Sequence, residues 1–161
     1  MSYTLAATAE VETLEAITFG DTSAINLTGS STANAITGNN GANTLDGRGG
    51  NDVMTGLGGA DTFQFTTALG AGNIDRIVDF LSGTDHIALD DAVFTALTPG
   101  ALPAGAFRIG TAAGDADDRI IYDSATGALY YDADGNGAGA QVQFASLDHH
   151  PVLAASDFVV I

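Results

Sequence analysis

The chain has 161 residues, a net charge of -16 and no cysteine. Four arginines and no lysine leave no basic patch, which argues against nucleic acid or an anionic membrane surface as a partner. The lack of cysteine excludes disulfides and zinc–thiolate sites, and a hydrophobic content of 45% argues against a disordered acidic chain. No stretch is long and apolar enough to cross a membrane, so we expect no membrane insertion.

Residues 1–19 form a lead-in to the repeats that follow. Residues 11–14 and 16–19 are predicted to be short strands lying on the first coil. The N-terminus has no basic region followed by an apolar run, so it does not have the pattern of a signal peptide. The lead-in has no glycine in the phase of the repeats, and we therefore predict no metal site in it.

Residues 20–64 consist of nine-residue rows. The clearest rows are residues 38–46, 47–55 and 56–64, and two poorer copies occupy residues 20–28 and 29–37. Each row opens with glycine and has an apolar residue at its eighth place, and this regularity indicates a tandem repeat. The first places are Gly20, Gly29, Gly38, Gly47 and Gly56, and the eighth places are Leu27, Ile36, Leu45, Met54 and Phe63.

The spacing of the rows predicts calcium sites at the turns. Consecutive rows would alternate between two edges of a flattened coil, which pairs Asn34 with Asp52 and Asn43 with Asp61 at the sixth places. Glycine-rich turns bring carbonyl oxygens together, and carbonyls with carboxylates are the donors that calcium prefers. Such a coil has a narrow core, so metal binding must supply much of its folding free energy. Four turn residues are the predicted backbone ligands: Gly41, Arg48, Gly50 and Gly59.

The rows GRGGNDVMT and GLGGADTFQ resemble the nonapeptide GGxGxDxUx of RTX (haemolysin-type) proteins. The resemblance implies a right-handed parallel β-roll loaded with calcium. The earlier rows depart from the pattern, because Ile25 stands at the metal place of the first and Asn34 and Asn43 at those of the next two. An asparagine offers an amide oxygen without charge, so we expect these edges to bind calcium weakly or not at all.

The segment NIDRIVDFLSGTDHIALDD follows the roll and resembles the DxIxDFxxGxDxIDLS stretch of serralysin-type C-terminal domains. We predict strands at residues 74–80 and 86–89 around a Ser-Gly turn. The resemblance implies that aspartates here close the open end of the roll. Asp79 lies two nine-residue steps beyond Asp61 and is predicted as its upper partner, with Asp85 as a second ligand. The alternative is that both are ordinary surface and turn acids.

Residues 65–161 are predicted to be an antiparallel β cap with one short helix, at residues 92–97. A hairpin of residues 119–122 and 128–131 and a third strand at residues 141–144 would extend the roll. Asp132, Asp134 and Asn136 spell DxDxNG, the opening of an EF-hand-like calcium loop. The twelfth position of that loop is Gln143 instead of glutamate, and a hairpin tip is the alternative.

Nothing in the chain spells a catalytic centre: HExxH, GxSxG, phosphate loops and dinucleotide fingerprints are all absent. The ending DFVVI resembles the tails of proteins exported by type I systems. We therefore expect an all-β, non-catalytic calcium module of a secreted bacterial protein, with calcium ions and a type I exporter as partners. The alternative function is a calcium-dependent module that binds polysaccharide or a cell surface, although the net charge argues against polyanionic glycans.

Overall fold

The computed structural model describes all residues from 1 to 161, and its regular structure consists of fifteen short strands in two sheets. The first sheet contains β1 (Ser2–Thr4), β3 (Asn26–Thr28), β5 (Thr44–Asp46), β7 (Thr62–Phe65), β9 (His86–Leu89), β10 (Gly100–Ala101) and β15 (Phe158–Val160). The second contains β2 (Thr13–Glu15), β4 (Ala35–Thr37), β6 (Val53–Thr55), β8 (Asp75–Ile77), β11 (Phe107–Ile109), β12 (Ile120–Asp123), β13 (Ala128–Tyr131) and β14 (Val142–Leu147). Two 3-10 turns occupy Ala104–Ala106 and Ala155–Asp157, and no helix could span a membrane.

The repeat rows coil between the two sheets as the nine-residue spacing predicts. Successive strands alternate between sheets, so β3, β5 and β7 pair in parallel in one sheet while β4 and β6 pair in parallel in the other. Leu27, Leu45 and Phe63 are therefore aligned directly across the first sheet. All five eighth-place side chains are buried, because each is the second residue of its strand and faces the opposite sheet. The roll is the expected parallel β-roll.

The period of the coil changes after β7. Val53 pairs with Arg76 and Thr62 pairs with His86, although the repeat would place each partner 18 residues along the chain. The connections before β8 and β9 are longer than the six-residue turns inside the roll. The coil therefore continues beyond residue 64, but its turns no longer follow the nine-residue spacing.

The C-terminal part extends both sheets. Strands β12, β13 and β14 are antiparallel as predicted, and β14 then joins β8 in parallel, which continues the second sheet. Strand β15 lies between β9, to which it is parallel, and β10, to which it is antiparallel. Phe94 packs edge-on against Tyr131 and Phe144, so aromatic rings fill the core here. The division into lead-in (1–19), roll (20–64) and cap (65–161) stays a prediction, and one hydrophobic cluster runs from the roll into the cap.

Two local predictions were wrong. Residues 92–97 form turns instead of a helix: the N–H groups of Val93 and Phe94 both donate to the Asp90 carbonyl, and the chain then turns again at Leu97. A six-residue helix is marginal in water, and Pro99 has no N–H group to donate to the Thr95 carbonyl, so a helix could not extend beyond its first turns. In the lead-in, residues 16–19 form no strand, and Ile17 is 95% exposed.

Candidate calcium-binding edges

The turns of the coil stack into two edges, each with a column of acidic or amide side chains. Edge one contains the turns from the first sheet to the second, and its column is Asn34, Asp52 and Asp75. The N–H of Asn34 donates to Asp52 Oδ1 at 2.6 Å, and the N–H of Asp52 donates to Asp75 Oδ1 at 3.0 Å. Each side chain thus holds the backbone of the turn beneath it.

Edge two contains the turns that return to the first sheet, and its column is Asn43, Asp61 and Asp85. The same contacts recur: Asn43 N–H donates to Asp61 Oδ1 at 2.8 Å, and Asp61 N–H donates to Asp85 Oδ1 at 2.9 Å. Both edges therefore carry an amide in the lower position and two carboxylates above it.

The two carboxylates of edge one are buried without a compensating positive charge. Asp52 is 1% exposed and Asp75 is 3% exposed. Burial, followed by the neighbouring Asp52 carboxylate, raises the pKa of Asp75 to about 8, and burial raises the pKa of Asp52 to about 6. Asp52 Oδ2 is buried and accepts no hydrogen bond. Two such groups cannot both ionise at neutral pH unless a cation neutralises them.

Edge two has the same electrostatic character. Burial raises the pKa of Asp61 to about 6, and the charges of Asp85 and Asp79 act in the same direction. The pKa of Asp85 is also raised, mainly by burial. No cluster of three or more histidine, aspartate or glutamate side chains forms a metal centre, so the remaining donors for a cation would be backbone carbonyls.

Glycine is required where the chain of each turn approaches these carboxylates. A Cβ on Gly47 would overlap Asp52 Oδ2, and a Cβ on Gly56 would overlap Asp61 Oδ2. At the fourth place, Gly50 has a φ of 107° and a Cβ there would lie 2.5 Å from the Ala33 nitrogen. The glycines thus leave space for oxygen atoms, and this oxygen-rich, anionic setting fits a hard divalent cation.

Comparison with known protein families decides which repeat this is. The family model described as the RTX calcium-binding nonapeptide repeat, in four copies, matches residues 28–63. These rows are RTX repeats. No curated protein matches the chain. RTX nonapeptide repeats bind calcium, and the matched residues include both carboxylates at sixth places, Asp52 and Asp61.

The four matched RTX repeats have two different turn conformations. In the rows that start at Gly47 and Gly56, which we call the Asp rows, φ is positive at the second place (Arg48, 65°; Leu57, 74°) and also at the fourth place. In the rows that start at Gly29 and Gly38, the Asn rows, no residue has a positive φ. Gly41, a predicted carbonyl ligand, therefore differs in conformation from Gly50 and Gly59, which have φ values of 107° and 112°.

The Asn rows satisfy their own sixth-place amides. Asn34 Oδ1 accepts the N–H of Ser30 at 2.8 Å, and the Asn34 amide donates to the Val11 carbonyl. Asn43 Oδ1 accepts the N–H of Asn39 at 2.8 Å, and its amide donates to Asn39 Oδ1 at 2.9 Å. An N–H donor thus occupies the side of the amide oxygen that a cation would need. Calcium ligation by Asn34 and Asn43 stays a prediction that this geometry does not favour.

Asp79 does not lie where the phase of the repeat places it. Asp85 is the upper partner of Asp61, because the longer connection before β9 shifts the register. Asp79 instead accepts the N–H of Gly56 at 2.9 Å and the N–H of Leu57 at 2.8 Å, one on each oxygen. Both of its oxygens therefore hold the last turn of the roll.

The DxDxNG segment forms the connection between β13 and β14. Asp132 Oδ1 accepts the N–H of Asp134, and Asp134 Oδ2 accepts the N–H of Gly139 at 3.0 Å. This second bond is the main cause that lowers the pKa of Asp134. Asn136 donates through its side chain to the Gly114 carbonyl. The loop is hydrogen-bonded within itself and to a neighbouring loop, and metal binding there stays a prediction.

Sequence reasoning missed Asp75, the most strongly perturbed carboxylate of the two edges. It lies 23 residues beyond Asp52, where a strict 18-residue step gives Gly70. The signal was present, because Asp75 is the first aspartate of the DRIVDF stretch whose acids were expected to close the roll. A prediction that followed the aspartates of this stretch, instead of the nine-residue spacing, would have found Asp75.

Proposed function

We propose that this chain is a non-catalytic calcium module of a secreted bacterial protein, which folds when calcium becomes available outside the cell. In this proposal the Asp52–Asp75 and Asp61–Asp85 pairs are the main binding centres, one on each edge. The supporting observation is the burial of Asp52 and Asp75 together, with Asp52 Oδ2 accepting no hydrogen bond.

The chain's own residues prepare each edge. The lower N–H groups fix Oδ1 of Asp52 and of Asp61, and Asp52 Oδ2 stays buried without a donor. Calcium, when bound, supplies the positive charge that these buried carboxylates lack. Without it, charge repulsion opposes the stacking of the turns, so binding and folding are coupled. Extracellular calcium modules commonly have dissociation constants of roughly 0.1 to 1 mM, which suits a switch between the inside and the outside of a cell.

Calorimetric titration of calcium into the full chain tests this proposal. We expect at least two binding events, and we expect Asp52→Asn and Asp61→Asn each to remove or strongly weaken one of them. Asp91→Asn is the matched control, because Asp91 is exposed and lies outside both edges. Circular dichroism in chelator and in calcium should show a gain of β structure and a higher Tm with calcium. Equal spectra and equal Tm values in the two conditions would refute the folding switch.

Export by a type I system is the second part of the proposal. It is supported by the resemblance of the ending to type I export tails. The test is expression of the full chain in bacteria with and without a type I exporter, followed by measurement of the protein in the medium. Exporter-dependent secretion that is lost when residues 157–161 are deleted is the expected result, and exporter-independent secretion would contradict it.

A further inference from the structure

The orientation of one peptide separates the two kinds of row. In the Asn rows, the N–H at the second place (Ser30 or Asn39) donates a hydrogen bond to the sixth-place side-chain oxygen of its own row. In the Asp rows, the corresponding N–H donates to a carboxylate that is not the sixth-place carboxylate of its row. The N–H of Arg48 donates to Asp46 Oδ1 at 2.8 Å, and the N–H of Leu57 donates to Asp79 Oδ2 at 2.8 Å.

This difference decides whether the sixth-place carboxylate is available to a cation. A donor turned onto its oxygen would occupy a position that the cation needs. Turning the same peptide away also turns its carbonyl: Gly47 O lies 2.6 Å from where a Cβ on Gly29 would be, and Gly56 O lies 2.9 Å from the equivalent point at Gly38. The Asp rows thus replace an N–H with an oxygen facing the row below, which suits a cation site.

The residues at the second place of the Asp rows do not favour the backbone conformation that this peptide orientation requires. Arg48 and Leu57 have φ values of 65° and 74°, a region that side chains other than glycine and asparagine adopt only at a cost. The RTX pattern GGxGxDxUx has glycine at this place, and this chain does not. Something in the surroundings must therefore hold the peptide.

The groups that hold it are two carboxylates outside the sixth-place columns. Asp46 ends β5, is 7% exposed, and is itself fixed by the Thr66 hydroxyl, which donates to Oδ2 at 2.9 Å. The two carboxylate oxygens of Asp79 accept the N–H groups of Gly56 and Leu57, one each. We propose that Asp46 and Asp79 are positioning residues that hold the second-place peptides turned away, and so keep Asp52 and Asp61 open to calcium.

The inference deepens the calcium role proposed above, and single substitutions test it. In the full chain, Asp46→Ala should weaken calcium binding on edge one roughly tenfold, because the carboxylate that holds the strained peptide is lost. Asp79→Ala should do the same on edge two. Asp46→Asn keeps an acceptor oxygen and should stay within about threefold of the wild type. A loss in Asp46→Asn as large as in Asp46→Ala would mean that charge matters and not peptide orientation, and would overturn the inference.

A second substitution separates positioning from a general loss of stability. Glycine adopts a positive φ without support, so Arg48→Gly should restore calcium affinity to Asp46→Ala, and Leu57→Gly should restore it to Asp79→Ala. If Asp46→Ala binds like the wild type, or if glycine restores nothing, the inference is wrong. Calorimetry gives the affinities, and the amide resonances of Asp52 and Asp61 assign each change to an edge.

Amide hydrogen exchange provides a readout that does not depend on calcium affinity. The N–H of Arg48 should exchange faster in Asp46→Ala than in the wild type, while the N–H of Asn39, held by Asn43, should be unchanged. Equal exchange at Arg48 in the two proteins would overturn the inference. A wild-type protein that binds no calcium, but shows the expected exchange, would refute the proposed function and leave the positioning role supported.

Discussion

Replacement of Asp75 by asparagine should change stability in opposite directions with and without calcium. Asparagine keeps the oxygen that accepts the Asp52 N–H at 3.0 Å but cannot ionise. The aspartate has a pKa of about 8 in the fold, against a model-peptide value of 3.8, so the folded state retains a proton that the unfolded chain loses. In the absence of metal this group therefore destabilises the fold above pH 3.8, increasingly up to about pH 8.

The size of the effect follows from the separation of these values. Each pH unit between them costs about 1.4 kcal/mol, so at pH 7 the metal-free wild type loses about 4 kcal/mol that Asp75→Asn does not lose. With calcium present we expect the order to reverse, because the variant has one carboxylate fewer to neutralise. Reversal requires the variant to bind the ion more than about a thousandfold more weakly, since about 4 kcal/mol corresponds to three factors of ten in affinity.

Urea unfolding followed by circular dichroism, in chelator and in calcium between pH 4 and pH 8, measures both effects. If the wild type is already unfolded in chelator at pH 7, the midpoint pH of unfolding should instead shift upward in the variant. Asp91→Asn, which removes an exposed charge, is the control and should show neither effect. A variant less stable than the wild type in chelator at pH 7, or one with an unchanged pH dependence, would refute the reasoning.

Three further substitutions test other parts of the fold. Gly50→Ala should destabilise the protein by about 2–4 kcal/mol in urea unfolding, because φ is 107° and the new Cβ would overlap Ala33. Phe63→Ala should cost about 3–5 kcal/mol by the same assay, since the ring is fully buried. Asp157→Ala should speed amide exchange in β15 and cost about 2–4 kcal/mol, because it removes the buried carboxylate that accepts the N–H groups of Gly83 and Ala154.

Each of these predictions has a matched control in the chain. Gly105→Ala should be nearly neutral, because nothing lies within 4 Å of a Cβ there. Leu81→Ala, at a side chain 61% exposed, should cost far less than Phe63→Ala. Ser156→Ala, next to Asp157 but exposed, should leave exchange in β15 unchanged. A control variant that changes stability or amide exchange as much as its partner variant would contradict the corresponding argument.

The roll could be predicted from the sequence because a regular nine-residue repeat determines how its strands are arranged. A nine-residue step with one apolar place fixes strand alternation, the buried column from Leu27 to Phe63 and the contacts of Asn34 with Asp52 and of Asn43 with Asp61. These features need only that each row repeats the one before it.

The nine-residue period does not predict the rest, because that part depends on connections that have no period; Asp85 was expected only from the resemblance of the stretch that follows the roll. The longer loops before β8 and β9 place Asp75 and Asp85 above the roll, and no count in steps of nine finds them. The left-handed turns at Arg48 and Leu57 are equally hidden, since neither residue type indicates a positive φ. The carboxylate that holds Leu57, Asp79, comes close only after folding, whereas Asp46 lies two residues before Arg48 in the sequence.

The position of β15 makes the two ends of the chain unequal in their tolerance of shortening. Strand β1 pairs with β3 alone and all three of its residues are exposed, so its removal uncovers one short edge. Strand β15 is the final strand in the chain, yet it has neighbours on both sides, and the Ile161 carbonyl also accepts the N–H of Asp91 at 2.9 Å. Trimming five residues at this end would split the first sheet and isolate β10, whereas the same trim at the other end would only narrow it.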